Sequence, residues 1–550
     1  MHRIELVLLL LLAAAAAARL RRVLPPKRPW PLWVLCLGYA AWGGLFIRET
    51  ICRGWNGKPF YCLFDDAMIS LRYALHLVRG QGLVWNLGQH VEGFTNPLMT
   101  FAMAAALKAF GMVDGILCIQ LAGLVLVLLA AWLALEIWTN GFARERSDGL
   151  SGERFWILAG ILAYYPVSYW SLMGMETGLL TVLLLGAVVL VLKHWGDDRF
   201  LPWPPVLLGL AVLCRPDALV QVLIIFAFRF ASLRKWPDFR KAAGELLCFA
   251  AFPLGYEVFR LAYYHRWLPN TYYLKLTGLA LGIRLLGGWN FTREFLASVW
   301  PLEVLALAGV FLRFNAKKFL IWSLHLSLIL YQIWVGGDPW VYWRIFTPSM
   351  PLLVLLAMEG LKNTVWHWKA PELSFRGWDG MDLKYAAVAL SLMASFLWAD
   401  WKFLGEICFT RPPYQVEANR ENLKTALLLR NVLEPGAKAG VFWAGTIPYY
   451  CEVEAIDCLG KCDSHIASLN ADPSLGWAGM ISVPGHNKYD LDYSIKTLKP
   501  DYIQYDKWGR DDLSAYVEKN YVSYEGRWLL KGSRYVRWNL VDSKTPQVPE

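Results

Sequence analysis

The chain has 550 residues, 56% of them hydrophobic and 18% charged, with 29 Trp and a formal net charge of +10. Its mean hydropathy is positive, +0.35. This composition excludes an ordinary soluble enzyme and indicates a polytopic membrane protein with a soluble part. The excess of Lys and Arg does not call for nucleic acid: in a membrane protein it reports cytoplasmic loops, with anionic lipid as the partner.

The first apolar run, residues 4–20, is followed by Arg19, Arg21, Arg22, Lys27 and Arg28 rather than by a small-residue cleavage site. It is an extra span or an interfacial helix, not a signal peptide. The first secure span is 32–47, and the basic cluster before it places its start in the cytoplasm. Asp65 and Asp66 then emerge on the outer side. Met68, Leu71, Leu75 and Val78 recur at helical spacing, with Arg72, His76 and Arg79 on other faces. That pattern predicts a helix lying in the membrane interface. Gly80 and Gly82 end it. Thr95 or Asn96 can cap a second helix that has Pro97 at its first position. Residues 97–110 are too few for the roughly 20 that a crossing needs, so this second helix also stays outside. Together the two helices form a polar shelf with the Asp pair at its front edge.

Residues 113–138 cross inward to Arg144, Arg146 and Arg154. Residues 155–169 cross out to Gly174-Met175-Glu176-Thr177, and 178–192 return. The apolar stretch 203–231 is interrupted by Arg215-Pro216-Asp217. Read as a hairpin of two short spans, it puts Arg229, Arg234, Lys235, Arg240, Lys241, Arg313, Lys317, Lys318, Lys362 and Lys369 inside. The positive-inside rule selects this parity. The hairpin tip then lies within bilayer depth and faces a protein-lined cavity. Further spans follow at 246–264, 295–311, 319–335, 348–361 and 386–403, for about eleven in all. Residues 1–403 make a transmembrane module, with a first outer loop at 46–112. Residues 404–550 form a polar, α/β-patterned extracytoplasmic domain.

With sides assigned from loop charges alone, Asp65, Asp66, Glu92, Asn96, Glu176, Arg215, Asp217, Asn270, Lys275, Asp338 and Arg344 all fall on the outer side. Each has a plainer reading. Asp66 or Glu176 can cap a helix, Arg215 and Asp217 can pair at a helix break, and Asn270 and Asp338 can be turn residues. As a set, carboxylates with cations suit group transfer from a phosphate-linked donor. One Asp takes the proton of an attacking hydroxyl while Arg or Lys stabilises the departing phosphate. An outward-facing site has no nucleotide sugar, so the donor is lipid-linked. The Asp pair is also a possible Mg²⁺ or Ca²⁺ ligand. Cys52 and Cys62 flank a short outer loop, and an oxidising compartment would permit them to bridge, with one further bridge among Cys451, Cys458 and Cys462. A metal site of those last three with His465 is the alternative. A lipid flippase or transporter is the rival reading, but it predicts charges spread through the bilayer and internal repeats. A non-catalytic assembly protein leaves the polar cluster unexplained.

Asp65-Asp66-Ala-x-Ile-Ser-x-Arg-Tyr, Gly80-x-Gly-Leu-Val-x-Asn86 and Val91-Glu92-Gly-Phe-Thr-Asn96-Pro97 resemble the first outer loop of bacterial GT-C glycosyltransferases. The group in question contains the mycobacterial terminal arabinofuranosyltransferases. Gly174-Met-Glu176-Thr, Arg215-Pro-Asp217, Leu268-Pro-Asn270-Thr-Tyr-Tyr, Gly336-Gly-Asp338 and Pro484-Gly-His486-x-Lys488-Tyr489-Asp490 resemble it too. The resemblance implies a GT-C fold and a polyprenyl-phosphate sugar donor. It implies an outer-loop Asp as base, Asp65 or Asp66 with Asp65 favoured, and a periplasmic domain that helps bind acceptor. On that footing Arg215, Lys275 and Arg344 are candidates for the donor phosphate, and Glu92, Asn96 and Glu176 for the sugar pocket. His486, Lys488 and Tyr489 are candidates for a lid or acceptor contact. The acceptor, whether glycan, lipid or protein, lies in the envelope of a cell whose inner (plasma) membrane holds the enzyme. The run from Trp340 to Arg344 and the C-terminal cysteines depart from the group, which leaves the sugar open.

Overall fold

The computed structural model describes residues 30–142, 150–233, 239–366, 380–472, 484–508 and 510–542. The apolar run 4–20, the basic cluster after it, Arg144, Arg146, Arg234, Lys235 and Lys369 lie outside the described residues. The protein is a multi-pass, mostly helical membrane protein. Among the described residues seven helices are long and apolar enough to cross a bilayer, or eight if the bent pair Glu153–Ala163 and Tyr165–Leu172 counts as one span. Leu37, Val125, Trp132, Leu254, Val258 and Val304 on these helices are exposed. In a membrane such side chains face lipid, while helical hydrogen bonding satisfies the backbone.

Helices Trp203–Cys214 and Leu219–Ala231 form the predicted hairpin. The return helix brings Arg229 beside the start of the outgoing one. There its Nη1 donates to Asp197 O at 2.7 Å and its Nη2 to Glu245 Oε1 at 3.1 Å. This end also gathers Lys318–Glu359 (2.6 Å), Lys362–Glu153 (3.3 Å) and Lys193–Glu136 (2.9 Å). The hairpin tip, Arg215 to Asp217, stands at the opposite end.

The shelf forms from helix Asp65–Val78 and the first part of helix Pro97–Gly141, which is broken at Gly111 (φ 81°, ψ 179°). Aspartates in the first turn suit the positive end of the helix dipole. The helix stops where Gly80 takes φ +73°, a conformation open to glycine. One expectation is corrected here. The polar face of Asp65–Val78 does not rest on lipid headgroups, because the C-terminal domain covers it. Arg72 is buried; its Nε donates to Trp85 O (2.7 Å), its Nη2 to Val453 O (2.8 Å), and its Nη1 to Pro448 O. Helix Leu281–Phe311 also begins 14 residues before the span placed at 295.

Strands β1 Ile51–Arg53 and β2 Pro59–Tyr61 pair before the shelf helix. The C-terminal domain has a five-stranded sheet of β3 Lys438–Val441, β4 Glu454–Asp457, β5 Tyr502–Ile503, β6 Tyr521–Tyr524 and β7 Arg527–Leu530, in the order β4-β3-β5-β7-β6. β3 is parallel to both β4 and β5, and β7 runs antiparallel to β5 and β6. Loops leave the carboxyl ends of the parallel strands at Phe442 and Cys458. Crevices at such ends are the usual ligand positions in α/β sheets, and here they face the shelf.

Two membrane helices touch through glycine. A Cβ at Gly360 would lie 1.9 Å from Leu305 O, and one at Gly309 would lie 2.2 Å from Leu356 O. Small residues permit this approach in a membrane, where packing rather than hydrophobicity drives association. Gly360→Leu is expected to cost about 1–3 kcal/mol through overpacking, seen as a lower thermal unfolding midpoint of detergent-purified protein.

Candidate active site

A cavity of about 220 Å³ opens between the shelf, the hairpin tip, the segment Leu268–Leu276 and the turn after Val335. Asp66, Asn96, Glu176, Arg215, Asp217, Lys275, Asp338 and Arg344 all line it. Sequence-distant loops therefore do converge. The charges fall into two linked chains. In the first, Ser70 Oγ donates to Asn96 Oδ1 (3.0 Å) and Asn96 Nδ2 to Glu176 Oε2 (3.0 Å). Arg215 then bridges Glu176 (2.6 Å) and Asp217 (2.9 Å). In the second, Arg344 bridges Asp66 (3.1 Å) and Asp338 (3.1 Å), and Lys461 Nζ sits 2.9 Å from the other oxygen of Asp66.

Local backbone geometry delivers these groups. Gly336 and Gly337 take φ +106° and +85° and turn the chain sharply after helix Ala316–Val335, so that Asp338 faces inward. Arg344 follows Tyr342 and Trp343, held at φ +73° and +45°, a costly conformation for non-glycine residues. Trp170 Nε1 donates to Tyr342 O at 3.0 Å and Tyr342 Oη to Glu406 Oε1 at 2.6 Å, and these bonds hold the strained turn. Asn96 and Glu176 occupy helix N-cap positions without capping, since their side chains are committed to the cavity wall.

The adjacent aspartates have opposite surroundings. Asp66 is clamped by Lys461 and Arg344, whose charges outweigh burial and hold its carboxyl far below the usual range. Asp65 is buried, borders a second cavity of about 60 Å³ under the C-terminal domain, and accepts from Thr446 N (3.1 Å) and Gly445 N (3.2 Å). Burial pushes its carboxyl up to about 7; the Asp66 charge adds to this, and Lys461 and the two amides oppose it. Trp340, Phe442, Trp443, Asp457 and His486 share this second cavity. Desolvation lowers His486 to about 4, which leaves it neutral at pH 7.

Four predicted site residues line neither cavity. Glu92 is locked to Arg260 (2.6 Å) and Tyr256 Oη (2.8 Å). Asn270 Nδ2 donates to the carbonyls of Gly460, Lys461 and Asp463, tying the segment Leu268–Leu276 to the C-terminal domain. Lys488 Nζ is a strut to Tyr273 O and Thr277 Oγ1, both at 2.8 Å. Tyr489 packs in the second core of the C-terminal domain. Sequence reasoning missed Lys461, Trp443, Tyr331 and Gln332. Lys461 sits between two motif-poor cysteine positions and carries no pattern that marks it.

All ten cysteines are free thiols, so neither of the permitted bridges is formed. Cys52 and Cys62 do lie within hydrogen-bonding reach of each other. Among the described residues no group of three His, Cys, Asp or Glu side chains is placed to hold a metal. Cys451, Cys458, Cys462 and His465 therefore do not converge. The Asp pair does not suit Mg²⁺ or Ca²⁺ either: Lys461 and Arg344 take the oxygens of Asp66, and backbone amides take those of Asp65.

The architecture matches the crystal structure of ArnT from Cupriavidus metallidurans bound to undecaprenyl phosphate, with TM-score 0.53 and 12% identity over 78% of this chain and 86% of that one. The chain has the GT-C fold. Its sequence is similar to the terminal β-(1→2)-arabinofuranosyltransferase of Mycobacterium tuberculosis, 28% identical over 286 residues. It is also similar to that of Corynebacterium glutamicum, 25% identical over 312 residues. These matches cover 49% and 48% of this chain but 43% and 40% of the relatives, so the chain spans less than half of their length. Residues 411–544 match a family model described as a domain of unknown function (DUF8728). Within this GT-C fold the cavity lies between the transmembrane module and that domain.

Glu92 offers a test of placement. Glu92→Gln leaves Arg260 short of a buried partner and is expected to cost about 3 kcal/mol. Thermal unfolding of the detergent-purified protein should register that loss.

Proposed function

We propose that the protein is an integral-membrane glycosyltransferase that moves a sugar from a polyprenyl-phosphate donor to a hydroxyl of a cell-envelope acceptor. Transfer takes place on the outer side of a bacterial inner membrane, and arabinofuranose is the first donor to test. The observation that carries this reading is the contrast between neighbouring carboxylates. Asp66 is fixed as an anion among cations, whereas Asp65, beside the second cavity, has no cation bonded to it among the described residues and titrates near neutrality. A general base works best with a pKa near the working pH. Similarity to the arabinofuranosyltransferases, together with the GT-C fold, supports the class of reaction.

In the proposed step the acceptor hydroxyl enters from the C-terminal-domain side and gives its proton to Asp65. Its oxygen bonds to the anomeric carbon as the bond from that carbon to the phosphate oxygen breaks. Polyprenyl phosphate leaves with the electron pair. Arg215 and Arg344 are each already shared between two carboxylates. Lys275 makes no ion pair with a carboxylate within 4 Å among the described residues, so it is the cation available to an incoming phosphate. Asp338, Asp66 and Arg344 are the charges that face it. The wall near Lys275 includes Leu268, Leu276, Tyr331 and Val335, which suits a ligand that is apolar beyond its phosphate. The basic residues gathered at the far end favour the cavity facing outward.

Asp65→Asn is expected to lower transfer from polyprenyl-phosphoarabinofuranose by about 10²–10⁴-fold. The wild-type rate requires the deprotonated carboxylate. It should therefore climb as pH rises toward 7 and level off above it, and the residual Asn activity should lack this limb. No turnover with any polyprenyl-phosphate sugar, but saturable lipid binding that survives Asp65→Asn and Asp66→Asn, would replace this reading with a flippase.

A further inference from the structure

We infer that the C-terminal domain is half of the catalytic centre, with Gly445 and Thr446 acting as the positioning residues that hold the carboxylate of Asp65. The inference rests on the reading of Asp65 as base, and it gives a task to residues that match a family model described as a domain of unknown function.

The geometry is specific. The two oxygens of Asp65 accept separately, Oδ1 from Thr446 N at 3.1 Å and Oδ2 from Gly445 N at 3.2 Å. Two amides on two oxygens fix both the position and the plane of the carboxylate. Gly445 leaves no room for a side chain: a Cβ there would lie 2.2 Å from Asp65 O and 2.6 Å from Asp65 Oδ1. The same domain supplies Lys461 to Asp66, so both aspartates are held from one side.

The domain is registered against the shelf at several points around the pair. Asn419 Nδ2 donates to Leu63 O at 2.8 Å, Tyr450 Oη to Tyr61 O at 2.6 Å, and Tyr449 Oη to Met112 O at 2.8 Å. Arg72 of the shelf donates back to Val453 O and Pro448 O. These contacts bracket Asp65 in sequence and fix the Gly445 amide with respect to it. A domain that merely captured acceptor would need none of this at the base itself.

The groups that face Asp65 come from every neighbouring element. Asp66 shares its helix, Cys62 precedes that helix, and Lys275 comes from the segment Asn270–Leu276. Asp457, Lys461, His486 and Tyr505 come from the C-terminal domain. Amide donation favours the charged carboxylate. Loss of these bonds should therefore raise the acidic limb of the rate profile.

The experiment compares wild type, Gly445→Ala and Lys461→Gln as full-length protein. It measures binding of polyprenyl phosphate, kcat and KM for the donor, and the pH–rate profile. In Gly445→Ala the expected result is a kcat at least tenfold lower, a donor KM within about twofold of wild type, and a limb about one pH unit higher. Lys461→Gln should move the limb in the same direction, because its charge also favours ionised Asp65. Wild-type kcat and an unmoved limb in a variant that binds donor would overturn the inference. If Gly445→Ala alone loses donor binding, Lys461→Gln decides. If both lose it, the domain holds the fold rather than the base, and the inference falls. Absence of transfer by wild type itself would overturn the glycosyltransferase reading instead.

Discussion

A charge buried in a protein has to be matched by another, and Arg344 is where this protein meets that requirement. It joins Asp66 of the shelf to Asp338 of the Gly-Gly-Asp turn. Arg215 does the same for Glu176 and Asp217. Burying any one of these charges alone would cost several kcal/mol. The positions of the shelf, the hairpin tip and the strained turn at Tyr342 and Trp343 are therefore mutually dependent. The cavity is the space these pairs enclose, and its polarity comes from the same groups that hold it together.

One helical step separates two different acids. Successive residues on a helix point about 100° apart, so Asp66 is turned into the cavity and Asp65 toward the C-terminal domain. Two cations reach Asp66. Asp65 receives two backbone amides, which carry only partial charge, and burial dominates. The result is a permanent anion next to a group that changes protonation near pH 7. A soluble domain laid on a membrane helix creates this difference, which neither part has by itself.

Much of the fold was legible because membrane burial leaves coarse marks. Apolar runs gave the spans, and loop cations gave which loops share an end. The hairpin at Arg215-Pro216-Asp217 followed from parity alone. Gly111 broke the long helix Pro97–Gly141 where the short apolar run had to end. Helix Leu281–Phe311 extends ahead of its apolar stretch because Arg284 and Asn290, which lower the local hydropathy, still continue the helix. The shelf misled in another way. The pattern set Arg72 and His76 at the membrane interface, yet both are buried, and Arg72 donates to Val453 O and Pro448 O of the C-terminal domain.

The sequence by itself determined the class of protein, which loops gather at one end of the helices and the set of polar residues from which the cavity is built, because charge and hydropathy act through composition and order along the chain. Only the tertiary structure decided which members of that set share a cavity. Glu92, Asn270, Lys488 and Tyr489 have the same chemistry as cavity residues but are committed to Arg260, to loop carbonyls or to a core. Lys461 carries no motif and yet completes the clamp on Asp66. It also decided which aspartate is free to titrate, because burial and partner distance depend on how two domains meet, and no pattern along the chain records that.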